Sequence, residues 1–174
     1  MDKAEIIIDN ILTRTSVRSY SETPVEQEKV KKILQAAMAA PSAKNLQPWC
    51  FVVVRKKELL QAMADVLPYA KMLAYADVAI VVCGDLSKSL PIDGYWAQDA
   101  SAVSQNILLA AHALGLGAVW TGVYPRKERV LPVQEILNLP QNIVPLNVIP
   151  VGYPAKVYVP RDKWDESKIH YDQW

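Results

Sequence analysis

The chain has 174 residues and a mass of 19.4 kDa, a size that accommodates one domain, 1–174, and argues against two independent catalytic domains. Nineteen basic against eighteen acidic side chains leave a formal charge of +1, which excludes the broad positive field on which sequence-independent nucleic-acid binding relies. The longest strongly apolar stretch, Ala76 to Gly84, is interrupted by Asp77 and is less than half the ~20 residues that a membrane helix needs, so no span is expected.

In chain order, Ile6, Ile7, Ile8, Ile11 and Leu12 fall at helical spacing and the pattern stops at Thr13-Arg14-Thr15-Ser16, which predicts a short opening helix. A second helix is expected from Pro24 to Ala40, with Thr23 as N-cap, Pro24 in the first turn and Val30, Ile33, Leu34, Ala37 and Met38 on one face. Trp49 to Val54 is aromatic and β-branched and reads as a buried strand. Helical pieces at 56–67 and 69–75, split by Pro68, precede a second strand, Val78 to Cys83, and a loop from Asp85 to Gly94. Trp96 to Leu114 carries the longest helical pattern, with small residues on several sides, as suits a helix crossing the molecule's centre or a subunit contact. A third strand, Ala118 to Val123, a helix from Pro125 to Leu137 and a fourth strand, Leu146 to Val151 interrupted by Pro150, complete a mixed α and β chain around four or five strands.

Cys50 and Cys83 lie inside apolar runs and read as core thiols of a reducing cytosol. The charged start, without an apolar signal core, agrees with a cytoplasmic protein. Tyr158, Trp164, Tyr171 and Trp174 recur without clean periodicity in the tail. Side chains of that size need a surface, either a partner subunit or the tail's own core.

Neither a Rossmann-type glycine fingerprint nor a phosphate loop is present. His112 and His170 have no metal-ligand neighbours at useful spacing, so no metal is expected. Both cysteines sit in apolar strands, which argues against thiol catalysis. Polar clusters at the ends of elements remain. An extended Arg14-Thr15-Ser16-Val17-Arg18 would set Arg14, Ser16 and Arg18 on one side, as a phosphate cradle or a solvated basic turn. Pro41 to Trp49 offers amides and hydroxyls that could orient a heterocycle, or is an ordinary loop. In the segment Ala118 to Val123, Gly122 would let backbone approach a flat ligand.

Taken in order, these clusters resemble the nitroreductase family of FMN-dependent oxidoreductases. The matching features are the early Arg-x-Ser-x-Arg, the Ala-Pro-Ser-x-x-Asn-x-Gln-Pro-Trp loop, and the long helix leading through Gly-Leu-Gly to Trp120-Thr121-Gly122. Val151-Gly152-Tyr153-Pro154 and the late Arg161 and Lys163 complete the set. The resemblance implies an α+β fold of three layers, α/β/α, around a mixed, mainly antiparallel sheet of four or five strands, with a domain-swapped C-terminal tail. It implies a homodimer with FMN at the subunit interface. Arg14, Ser16 and Arg18, with Thr15, would hold the FMN phosphate, joined by Arg161 and Lys163. Pro41, Ser42, Ala43 and Asn45 would reach the flavin from the other subunit, and Trp120, Thr121 and Gly122 would lie along its ring with a backbone N–H facing N5. Asn45 or Lys44 would stabilise negative charge at the N1/O2 edge. No side chain is assigned a catalytic role, because NAD(P)H would pass hydride to flavin N5, which reduces a small acceptor such as a nitroaromatic or quinone by a ping-pong exchange. The alternative is a non-catalytic FMN-binding or sensing homodimer. Two departures stand out: Ala43 occupies a position where many relatives carry a second hydroxyl, and little chain separates Gly84 from Trp96 to shape a substrate channel.

Overall fold

The fold is organised on β2, Val78–Asp85, whose residues from Val78 to Gly84 are all buried. Alternation along this strand sends Val78, Ile80 and Val82 to one face of the sheet and Ala79, Val81 and Cys83 to the other, and each face has its own apolar core. The structure is a computed structural model that describes residues 2–90 and 94–174. Part of the loop expected from Asp85 to Gly94, residues 91–93, therefore lies outside the described residues, as does Met1.

Five helices, α1 (Lys3–Thr13), α2 (Gln27–Met38), α3 (Lys57–Val66), α4 (Tyr95–Ala113) and α5 (Lys127–Leu137), surround β2 and four further strands among the described residues. These strands are β1 (Trp49–Val54), β3 (Gly117–Ala118), β4 (Thr121–Gly122) and β5 (Ile143–Gly152). The order is β1-β2-β5-β3, with β4 also on β5, and every pairing between these strands is antiparallel. A parallel contact comes from outside them, the bridge between Ser16 and Ala118. Helices α2 and α4 pack on one face and α3 and α5 on the other, so the expected three-layer α+β architecture is present. Among the described residues no helix is long and apolar enough to cross a membrane.

Several boundaries differ from the sequence expectation for identifiable reasons. Helix α2 begins at Gln27, with Glu26 rather than Thr23 at its N-cap. Val25 is held out of the helix: its N–H donates to Asp77 Oδ2 (3.0 Å) and its carbonyl accepts from Arg55 Nη2 (2.9 Å). The strand expected from Ala118 to Val123 is split at Val119-Trp120, and β5 runs unbroken through Pro150. Both differences have one cause. Pro150 has no N–H to offer the adjoining ladder, and its carbonyl accepts instead from the Tyr20 hydroxyl at 3.3 Å, so the gap opens in the neighbouring strand rather than in β5.

The cysteines stand opposite one another on β1 and β2, both free, with Cys83 buried and Cys50 half-buried. Hydrogen bonding between the two thiols lowers the Cys50 pKa and raises that of Cys83, whose burial pushes it up further.

Helix α1 starts on a capping box in which the Asp2 carboxylate accepts from Glu5 N (2.9 Å) and the Glu5 carboxylate from Asp2 N (2.7 Å). It buries none of its residues. Ile6, Ile7, Ile8, Ile11 and Leu12 are 46 to 67% exposed, a stripe much larger than scattered surface apolar residues would give. In the tail, Tyr158 packs back on Val17 and Tyr20, whereas Trp164, Tyr171 and Trp174 are exposed. The reading of a tail folded back on its own core thus holds for Tyr158.

Candidate active site

The segment after α1 is extended because it joins the sheet. Val17 N donates to Ala118 O (3.0 Å) beside the Ser16–Ala118 bridge, and Val17 is buried at 5% exposure. Alternation then sets the neighbouring side chains on opposite sides. Thr15 and Val17 line a cavity of about 640 Å³ with His112, Leu116 and Tyr158. Arg18 lines a different cavity, of about 220 Å³, whose wall is Val119, Trp120, Thr121 and Gly122. The same cavity is lined by Pro68, Tyr69 and Ala70 from the connection after α3, and by Arg129 of α5.

Gly117 permits the close approach of the extended segment. A Cβ there would lie 2.6 Å from Val17 Cβ and 2.9 Å from its Cγ2. At Gly122 the side facing away from the sheet is open, since a Cβ would meet only Trp120 Nε1, at 3.9 Å. The wall itself is held rigidly. The Thr121 hydroxyl donates to the Val148 carbonyl, and Arg129 Nη1 donates to the Gly122 carbonyl at 3.1 Å. The Arg129 guanidinium also lies 5.9 Å from the centre of the Tyr69 ring.

Arg14 is the C-cap residue of α1 and half-buried. The tail residues Arg161 and Lys163 share a groove of about 600 Å³ with Asp9, Ile11, Leu12 and Thr13 at that end of α1. These cations therefore gather near the start of the extended segment. His112 on α4 meets Thr13 Oγ1 at 2.9 Å. Since the Thr13 hydroxyl already donates to Asp9 O (2.7 Å), the ring N–H is assigned to Nε2. Desolvation, followed by the nearby Arg14 charge, lowers the His112 pKa.

Pro41, Ser42, Ala43 and Asn45 do not line the Arg18 cavity of the same chain. Their loop is nonetheless tightly specified. Ala43 N donates to the buried Asp99 carboxylate (2.9 Å) and Gln47 N to Ser42 Oγ (2.9 Å). Lys44, Asn45 and Gln47 take positive φ values of 51°, 54° and 48°. Asparagine tolerates this region, but lysine and glutamine there store backbone strain. Lys44 and Asn45 are exposed on this loop and line no part of the Arg18 cavity of their own chain.

Arg129, Tyr69 and Asp99 were not identified from sequence. Arg129 belongs to the run Arg126-Lys127-Glu128-Arg129, which looks like a solvated helix start. Asp99 acts on a residue 56 positions away, and no local pattern records such a contact.

The family model described as the nitroreductase family matches residues 11–69 and 64–153. The chain belongs to the nitroreductase family. A structure from Bacteroides thetaiotaomicron, provisionally named an NADH dehydrogenase/NAD(P)H nitroreductase, shares 51% identity and a TM-score of 0.94 over 100% of both chains. A relative of the same provisional name from Methanothermobacter thermautotrophicus is 48% identical over 97% of this chain and 87% of its own. An FMN-dependent nitroreductase from Clostridium difficile R20291 superposes with a TM-score of 0.89 at 32% identity, over 96% of this chain and 99% of its own.

The cavity of this nitroreductase-family chain offers donors of a chemistry that suits a flat, anionic heterocycle. Its donor set is a half-open backbone wall bounded by two guanidinium groups, with a further arginine and hydroxyls along the segment leading to it. Among the described residues no group of three or more His, Cys, Asp or Glu could hold a metal.

Proposed function

We propose that this chain is an FMN-dependent NAD(P)H oxidoreductase that works as a homodimer with FMN between its subunits. The observation that carries the reading is the meeting of Arg18 with the Trp120–Gly122 wall in one cavity, on a segment hydrogen-bonded to the strand just before that wall. Arg14 and Ser16 would hold the phosphate with the backbone of Thr15, whose side chain lines the neighbouring cavity, and Arg18 would lie between these residues and the ring wall. Charge-assisted bonds of this kind contribute about 1.5–3 kcal/mol each. Arg161 and Lys163 approach the same phosphate from the α1 groove.

Of the two candidate N–H groups, that of Gly122 points away from β5 and would face the reacting edge, and the open side of Gly122 leaves room for a planar ring. The bound flavin supplies the redox chemistry, accepting hydride from NAD(P)H and delivering it to a small acceptor of the nitroaromatic or quinone class in a ping-pong exchange. The protein's part is to bind, orient and exclude water, which needs no side-chain nucleophile.

The second subunit completes the site. The apolar stripe of α1 is the natural contact between copies, and the strained loop carrying Pro41, Ser42, Ala43 and Asn45 reaches the partner's flavin. The free edge of β1 and the groove of about 940 Å³ beside it, lined by Val30, Leu34, Met38 and Val53, receive the partner's exchanged tail. Two free thiols suit a reducing cytoplasm.

Purified protein should carry flavin absorbance, or acquire it when FMN is added, and NAD(P)H should bleach it faster than it bleaches free FMN. Arg14→Ala should weaken FMN binding roughly 10- to 150-fold, the loss of one charged hydrogen bond. Protein that stays colourless with added FMN refutes the reading. Bound FMN that bleaches no faster than free FMN points to a flavin store instead, and unchanged affinity in Arg14→Ala places the phosphate elsewhere.

A further inference from the structure

Arg129 is a half-buried cation with an unusual position. It reaches from α5 to the carbonyl of Gly122, leans on the Tyr69 ring and lines the same cavity as Arg18. A guanidinium carries five N–H donors, and among the described residues the Gly122 carbonyl is the one acceptor bonded to it. The remaining donors are fixed in a planar fork whose base is anchored to the wall. No carboxylate lies within ion-pair distance of it among the described residues; the exposed Glu128, whose pKa is lowered first by a backbone hydrogen bond and further by this charge, is its acidic neighbour outside the cavity lining.

We propose that Arg129 is the group that contacts the pyrimidine edge of the bound flavin and stabilises the negative charge gained there on reduction. This inference rests on the flavin reading above. If the backbone N–H of Gly122, which points away from β5, faces N5, a guanidinium tied to the Gly122 carbonyl, beside Pro68 and Tyr69, stands next to the C4 carbonyl of the pyrimidine ring, which shares by conjugation the negative charge that N1 gains on reduction. A fixed positive charge at that edge favours the two-electron-reduced cofactor over the oxidised one, because charge preorganised in a partly desolvated site needs no reorganisation. Arg129 is anchored by one hydrogen bond and one ring, which makes it a fixed element of the site and not a mobile surface cation.

The test compares the affinity of oxidised and reduced FMN for the parent and for Arg129→Gln, together with the midpoint potential of the bound flavin and the melting temperature of the flavin-free protein. Glutamine keeps a planar amide donor, on a side chain two bonds shorter than Nη1 of arginine, but carries no charge. The ratio of reduced to oxidised affinity should fall at least tenfold, equivalent to a potential about 30 mV more negative for a two-electron couple. The flavin-free melting temperature should change little. Arg129→Lys, which keeps the charge, should restore most of the ratio. Arg129→Met, which keeps a stem against Tyr69, gives the same readout if the glutamine variant does not fold. A parent protein that binds no FMN removes the underlying reading. A parent that binds FMN, with uncharged variants of unchanged potential, overturns this inference alone.

Discussion

Replacing Gly117 by alanine would test whether the extended segment is placed by its contact with β3. The added methyl would sit 2.6 Å from Val17 Cβ and 2.9 Å from Cγ2, roughly 1 Å inside the 3.5–4.0 Å separation of carbon atoms in contact. Rotation about χ1 of Val17 cannot relieve the approach to its Cβ, and Val17 is buried, so the backbone of 16–18 must move away from Ala118. Overpacking of this type costs about 1–3 kcal/mol, or roughly 2–12 °C in melting temperature for a chain of this size. Ser16 and Arg18 move with Val17, and loss of one charged contact to the phosphate weakens FMN binding roughly 10- to 150-fold. Thermal melts of the flavin-free protein and fluorescence titration with FMN read the two effects separately. Adding Val17→Gly removes Cβ and both Cγ atoms of Val17, the atoms that clash, and should return FMN affinity to within a few-fold of the parent, while leaving stability lower. A Gly117→Ala protein with parental melting temperature and FMN affinity would refute the reasoning.

Two other perturbations have definite outcomes. Ile8→Glu together with Leu12→Glu places charge in the exposed stripe of α1 and should shift the sedimenting species from dimer to a 19.4 kDa monomer, with loss of bound flavin but a preserved far-ultraviolet spectrum; an unshifted dimer would remove α1 from the interface. For His112, the folded pKa lies below the ordinary value of about 6.5, so the unfolded chain binds the proton first as pH falls. Its contribution is therefore present above about pH 6.5 and is lost as pH drops through the lower folded pKa. Melting temperatures between pH 7.5 and 5 should fall more steeply for the parent than for His112→Gln, and equal slopes would contradict the assignment.

Much of the architecture was readable because it depends on local pattern. The aromatic and β-branched run Trp49–Val54 coincides with β1, and the small-residue helix beginning at Trp96 differs from α4 by one residue at each end. Where reading failed, a distant partner had overridden a local signal. Thr23 and Pro24 resemble a helix start, but Asp77 and Arg55 hold Val25 extended. Pro150 marks a real interruption, which falls on the neighbouring strand because Pro150 offers that strand no donor. The site was legible in a different way. No single cluster of residues distinguished a phosphate cradle from a basic turn, and the order of several motifs along the chain supplied the assignment. Arg18 and Trp120–Gly122 do meet in one cavity. Arg129 and Asp99 escaped because their contacts, to Gly122 and Ala43, depend on how α5 and α4 are docked.

The central claim is that FMN is held between two copies of this chain. Sedimentation of the FMN-loaded protein, followed at the flavin absorbance and at the protein absorbance together, tests it most directly. The account predicts one yellow boundary at the mass of two 19.4 kDa chains, with one FMN per chain. Flavin travelling with a single chain, or separating from the protein altogether, would contradict it.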